Sequence, residues 1–199
     1  MIFYGAVQKA PALITDRAEK GVFKVIADDK ISAGFAIAGG KFLLTCDHVI
    51  GHDSKIKIED SLSGLRNGYL VFHDSQLNVA VYRMDRPSSV SFVINSNSVK
   101  PGTMQWLAGP KSRFSAAEMT GIKREGDTAF VLMKGATTLE VGSPFLNSKG
   151  EVIGMFQQSD SAASGMMSGI SGYNLTHFLK AQSAPPSAPT VIGSLGQVL

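Results

Sequence analysis

The 199-residue sequence predicts an all-β fold of short antiparallel strands in two lobes, closed by one short C-terminal helix, and three observations carry that expectation. Apolar runs are only four to eight residues long and are punctuated by 21 glycines and 8 prolines, the texture of many turns between strands. Ser54–Glu59 alternates Ile56 and Ile58 with Lys55, Lys57 and Glu59, the period-two pattern of a strand with one wet face. Helix signals are confined to a single stretch near residue 174.

Residues 1–18 begin with an apolar run, reach Pro11 and read as an N-terminal arm or edge strand. The first lobe, residues 19–91, holds strand candidates at Gly21–Ala27, Ile31–Ile37, Lys41–Thr45, Ser54–Glu59, Tyr69–Phe72 and Asn78–Tyr82. Gly39-Gly40 is placed to make a tight hairpin, because glycine supplies the positive φ that such turns need. Asp85-Arg86-Pro87-Ser88-Ser89 opens the connection to the second lobe, residues 92–173. Its strand candidates are Phe92–Ile94, Thr103–Leu107, Met119–Lys123, Ala129–Met133, Phe145-Leu146, Glu151–Phe156 and Met167–Tyr173. Asn147-Ser148-Lys149-Gly150 is a hairpin turn signal. Residues 174–182 form the helix, with Asn174 as its expected cap and Leu175, Phe178 and Leu179 on one side. Residues 183–199 are a Pro/Ser/Ala-rich tail in which Pro185, Pro186 and Pro189 block further helix. Its apolar residues Val191, Ile192 and Leu195 either dock onto a neighbour or remain a peptide-like tail.

Composition narrows the function classes. Hydrophobic content of 44% with 18% charge suits a folded domain. The net charge of +3 comes without a dense Lys/Arg run, so nucleic acid is not indicated beyond mild basicity. Cys46 is the only cysteine, which excludes an intrachain disulfide and favours an intracellular or virus-encoded protein. No signal peptide is evident, and no apolar run is long enough to span a bilayer. One cysteine and the scattered His48, His52, His73 and His177 give no metal pattern, and no cofactor motif is present.

Four ordered blocks resemble the trypsin-like serine proteases of the chymotrypsin fold, especially the HtrA-like and viral 3C-like branches. Ser32-Ala33-Gly34-Phe35 is similar to the small-residue strand before the catalytic histidine, and Thr45-Cys46-Asp47-His48-Val49 to the histidine box itself. Leu77-Asn78-Val79-Ala80-Val81 resembles the acid box, and Gly142-Ser143-Pro144 through Gly154 resembles the end of the nucleophile loop and its hairpin. The resemblance implies two antiparallel six-stranded β-barrels of the chymotrypsin-like type with a short C-terminal helix.

It also implies roles. His48 matches the general base and Asn78 the acid, whose amide can orient an imidazole without supplying negative charge. Asp74 and Asp47 are the nearby carboxylates that could compensate, although a surface turn is the plainer reading of each. Val141 matches the nucleophile, and a valine has neither a nucleophilic atom nor a proton for His48 to accept. The oxyanion-hole amides would belong to Leu139 and Val141, and Ser143 is the alternative nucleophile. Cys46 reads as a buried thiol. Ser168, Gly169 and Ile170 resemble the strand that pairs with substrate in active relatives.

The expected function is a catalytically inactive protease-like module for protein or extended-peptide binding or for assembly. Homo- or hetero-oligomers would form through the terminal segments. The alternative is an active serine endopeptidase with a non-standard nucleophile.

Overall fold

The computed structural model describes residues 10–50, 53–60, 64–97, 99–135, 137–159 and 165–183. Twelve strands close into two six-stranded antiparallel barrels. The first contains β1 (Val22–Ala27), β2 (Lys30–Ile37), β3 (Phe42–Thr45), β4 (Lys55–Asp60), β5 (Gly64–Asp74) and β6 (Val79–Met84), joined in the order β1-β2-β3-β6-β5-β4. The second contains β7 (Met104–Gly109), β8 (Arg113–Glu125), β9 (Thr128–Lys134), β10 (Pro144–Leu146), β11 (Val152–Ser159) and β12 (Met166–Ser171), in the order β10-β11-β12-β9-β8-β7. The expected double barrel is therefore present.

Each barrel buries one face of its strands. Phe23, Leu43, Ile56, Ile58 and Tyr82 fill the first, while Leu107, Met119, Met133 and Phe145 fill the second. A third apolar layer lies outside both barrels and joins Phe35, Leu44 and Val81 of the first to Trp106, Leu146 and Met155 of the second. Full burial of such a side chain stabilises the fold by about 1.5–3 kcal/mol, so this layer fixes one lobe against the other.

At Gly39-Gly40 the chain turns with φ of 68° and 78°, as the sequence predicts. Gly40 has a second constraint, since an added Cβ would stand 2.1 Å from the Ser88 carbonyl oxygen.

The N-terminal region corrects the sequence reading. Ala12–Gly21 is a helix, α1, where an arm or edge strand was expected. Pro11 stands before it, and its carbonyl accepts hydrogen bonds from Ile14 and Thr15 N–H at 2.9 and 3.0 Å. Asp16 and Lys20 pair four residues apart. Its buried face is Ile14, Ala18 and Gly21, with Leu13 turned to solvent. Small residues on that face weaken the periodic apolar signal. Residues 1–9 of the expected arm and residues 184–199 of the tail lie outside the described residues.

Two smaller differences have local causes. Phe92–Ile94 is no strand, because only an isolated bridge links Ile94 to Val152. The C-terminal helix, α3, runs Gly172–Ser183 and is capped by Ser171 rather than Asn174. Ser171 Oγ accepts the Asn174 N–H at 3.3 Å and donates to Asn174 Oδ1 at 3.0 Å, a reciprocal cap. That same Oδ1 accepts Ala129 N–H at 2.8 Å and ties the helix start to β9.

Candidate functional site

His48 lies on a one-turn helix, α2 (Asp47–Ile50), immediately after β3. Asn78 occupies the turn before β6, with φ of 55°, a left-handed conformation that asparagine tolerates better than most residues. Its Oδ1 is 2.9 Å from His48 Nδ1 and accepts the His48 main-chain N–H at 2.9 Å. The amide oxygen takes two donors when Nδ1 carries the ring proton, which leaves Nε2 as the unprotonated nitrogen.

Asn78 is itself held across the lobes. Gln157 on β11 donates through Nε2 to the Leu77 carbonyl at 2.7 Å and to the Asn78 carbonyl at 3.0 Å. Nothing in the local sequence singled out Gln157, because its role depends on a contact 80 residues away in the chain.

The carboxylates considered as substitutes are engaged elsewhere. Asp74 Oδ1 accepts Gln76 and Leu77 N–H, both at 2.9 Å, and so holds its own turn. Asp47 is only 4% exposed, contrary to the surface-turn reading. It pairs with His73 Nδ1 at 3.1 Å and accepts the Ser75 hydroxyl at 2.7 Å. His177 packs its ring on Tyr173 in α3, 4.3 Å between centroids. His52 lies outside the described residues. Among the described residues no cluster of three or more metal-binding side chains occurs.

The second-lobe loop is seated on the histidine strand's neighbourhood by main-chain contacts. Val141 carbonyl accepts Ala33 N–H at 2.8 Å, and Gly142 N–H donates to Phe156 carbonyl at 2.7 Å. Gly142 has φ of 89°, and a Cβ there would meet the Ala33 oxygen at 2.0 Å. Thr45 Oγ1 donates to that same Ala33 oxygen at 2.7 Å. The Arg113 guanidinium pairs with the Glu140 carboxylate just before Val141.

Val141 itself is half-buried and packs on the apolar layers, as Val49 does beside His48. Leu139 N–H donates to Thr137 Oγ1 at 3.0 Å, so this oxyanion-hole candidate already has an acceptor. Leu139's side chain presses on Gly109, where an added Cβ would come within 2.7 Å.

Ser143 is fully enclosed, and its hydroxyl makes no hydrogen bond to the described residues. A substrate carbonyl cannot reach it without opening the loop. Cys46 is also fully buried, its Sγ contacting the Phe156 carbonyl at 3.4 Å. Burial pushes this thiol well above the usual cysteine range, which removes the thiolate needed for nucleophilic attack.

Ser168, Gly169 and Ile170 require a correction. They lie in the interior of β12, paired to β11 through Gln158, Phe156 and Met155 and to β9 through Leu132, Val131 and Phe130. Both edges of that strand are taken, so an extended peptide cannot add to it. The open edge is on β11 beyond Phe156, because β10 pairs only with the Val152–Met155 portion, Ser143 and Gly142 take the Phe156 main-chain groups, and β12 covers the other side as far as Ser159.

Two six-stranded barrels, with a histidine after a first-lobe strand and a glycine-led turn of the second lobe bonded to the adjoining strand β2 at Ala33, define the chymotrypsin-like class. The trypsin-like peptidase domain family model matches residues 32–155, more than half of the chain, and the chain belongs to that family. The crystal structure of the Rv3671c protease in its inactive form is similar, with a TM-score of 0.72 at 16% identity, covering 90% of this chain and 100% of that one. An inactive-form structure of a serine-to-alanine mutant of Rv3671c from M. tuberculosis H37Rv also has a TM-score of 0.72 at 16% identity, covering 92% and 99% of the two chains. No curated protein matches the sequence.

Among the described residues no helix is long and apolar enough to cross a membrane.

Proposed function

We propose that this chain is a catalytically inactive member of the trypsin-like peptidase family that binds an extended peptide or protein segment. One observation carries the reading: Val141 stands where the family's nucleophile would be, and its aliphatic side chain cannot attack a carbonyl. The burial of Ser143 and Cys46 supports it further, as does the engagement of the Leu139 amide by Thr137.

Peptide binding would use the β11 edge beyond Phe156, whose own N–H and carbonyl are taken by Ser143 and Gly142, where the following main-chain groups can pair with an added strand. His48 would then be a polar wall of the cleft, its ring fixed by Asn78. The lone cysteine supports an intracellular or virus-encoded setting.

The test combines a serine-directed fluorophosphonate with a mixed-peptide cleavage assay on the folded chain, followed by NMR of the amides with peptide pools. The expected result is no adduct, no cleavage, and shifts that cluster along residues 157–159 and at His48. A covalent adduct on any serine with concurrent peptide cleavage would overturn it.

A further inference from the structure

The turn between β7 and β8 is strained, and side chains tie it in two directions. Arg113 N–H closes on the Pro110 carbonyl at 3.4 Å, which makes Lys111 and Ser112 the two central residues. Their φ values are 58° and 55°, the left-handed conformation that such turns normally give to glycine or asparagine. A residue with a Cβ keeps that conformation only where its surroundings hold it there.

Ion pairs supply the hold. Lys111 Nζ crosses the seam between the lobes to Glu59 Oε1 on β4 at 3.0 Å. The other Glu59 oxygen takes Lys24 Nζ of β1 at 3.2 Å, a pairing inside the first barrel. Two residues after Lys111, the Arg113 guanidinium grips Glu140, the residue before Val141. Lys24, Lys111, Arg113 and Glu140 line one recess at this seam. The loop that carries Val141 also meets the first lobe directly, where the Val141 carbonyl accepts Ala33 N–H at 2.8 Å.

The Lys111 and Arg113 side chains are 62% and 44% exposed, so water and salt compete with both pairs. The screening length falls from about 10 Å at 0.1 M salt to about 3 Å at 1 M. Exposed pairs that hold a strained turn make a contact that opens with ionic strength. Once Glu59 lets go, the turn relaxes and draws Arg113 away from Glu140.

We propose that the Pro110–Arg113 turn is an ionic strap between the lobes, which holds the loop carrying Val141 in place while Lys111 is paired with Glu59 and frees it when salt screens that pair.

The test follows amide hydrogen exchange of the full chain by NMR at about 0.05 and 1 M NaCl, reading residues 139–142 against β9 and β12 as the internal reference. The unsubstituted chain is compared with Glu59→Gln, Lys111→Asn and Lys24→Gln. Asparagine at 111 tolerates the left-handed turn and removes only the charge. Expected is several-fold faster exchange at 139–142 in high salt for the unsubstituted chain. Glu59→Gln and Lys111→Asn should show that faster exchange at low salt already. Lys24→Gln leaves the cross-lobe pair intact and should behave as the unsubstituted chain. Unchanged exchange in Glu59→Gln and Lys111→Asn would overturn the proposal, as would an unsubstituted chain that ignores salt. An equal effect from Lys24→Gln, or a rise shared by β9 and β12, would also overturn it and assign the change to general loosening of a barrel.

Discussion

Asn78 Oδ1 lies 2.9 Å from both the ring Nδ1 and the main-chain nitrogen of His48, so one neutral side chain fixes the imidazole's position and orientation. That arrangement keeps the geometry of a base awaiting a proton while removing the charge that would stabilise the protonated ring. It holds the histidine in place in a chain whose residue 141 has no nucleophilic atom.

Restoring the chemistry should require more than a hydroxyl. Val141→Ser supplies a nucleophile, but the Leu139 amide is held by Thr137 and cannot stabilise an oxyanion in that orientation. A single oxyanion-hole donor is worth about 10²–10³ in rate. The double variant Val141→Ser with Thr137→Ala, which removes that acceptor, should therefore react with a fluorophosphonate at least about 10²-fold faster than Val141→Ser alone. Adding Asn78→Asp should raise peptide turnover further. Labelling rates followed by intact-mass spectrometry check the order.

Gln157→Ala should loosen the first-lobe half of the site from the second. The substitution removes two hydrogen bonds, to the Leu77 and Asn78 carbonyls. At about 0.5–1.5 kcal/mol each, the loss should be about 1–3 kcal/mol in urea unfolding. The His48 ring should also show greater rotational averaging by NMR, whereas a variant such as Asp16→Ala on exposed α1 should leave that signal unchanged.

Many of the strands were legible in short-range patterns, whereas the double barrel and the roles of His48 and Asn78, 30 residues apart, were expected from the resemblance of four ordered blocks to the trypsin-like proteases. Ile56 and Ile58 alternate with lysines, Gly39-Gly40 turns a hairpin, and His48 closes a strand. Helix α1 was not legible, since its buried face is one isoleucine, one alanine and one glycine while Leu13 points outward. The expectation of an open edge at Ser168–Ile170 failed for a different reason. β11 and β12 both read as apolar strands, and only the register shows that β12 is paired on both sides. Gln157 and Thr137 act through contacts that no spacing rule reports.

Gly142→Ala should be among the most damaging small substitutions in the chain. It combines a φ of 89° with a Cβ only 2.0 Å from the Ala33 oxygen, in a loop that joins the lobes. The left-handed conformation alone costs about 1–2 kcal/mol, and the main-chain clash forces the loop off its Ala33 contact. Gly39→Ala is the control, with φ of 68° and nothing within 4 Å of the new Cβ. Its loss should stay near about 1 kcal/mol, with the Gly142 variant at least twofold worse by urea unfolding.

Acid should weaken the β10–β11 hairpin through Glu151. Hydrogen bonds from Asn147 and Asn95, at 2.8 and 2.7 Å, hold its carboxyl below the usual range despite a small opposing contribution from burial. A folded-state value below the unfolded one means stability that is present above the unfolded pKa and lost as pH falls through the folded one. The window thus opens below about pH 4.3. Glu151→Gln should flatten the acid limb of the stability curve there, and amide exchange in residues 147–152 should locate the loss.

Alkali should act through Cys46 with the opposite sign. Complete burial raises its thiol, with the Gly142 main-chain N–H opposing and Asp47 adding to the shift. The folded state therefore keeps its proton where the unfolded chain gives it up. Stability from this group is intact below the unfolded pKa, about 8.5, and declines as pH rises past it. Cys46→Ala should remove that decline between about pH 8.5 and 10, although the smaller side chain lowers stability at every pH by leaving a gap against Phe156. The thiol should resist Ellman's reagent in the native protein at pH 8 and react at once in urea. Rapid native labelling would mean that the wall between Cys46 and the nucleophile loop opens in solution, and with it the enclosure that keeps Ser143 from acting.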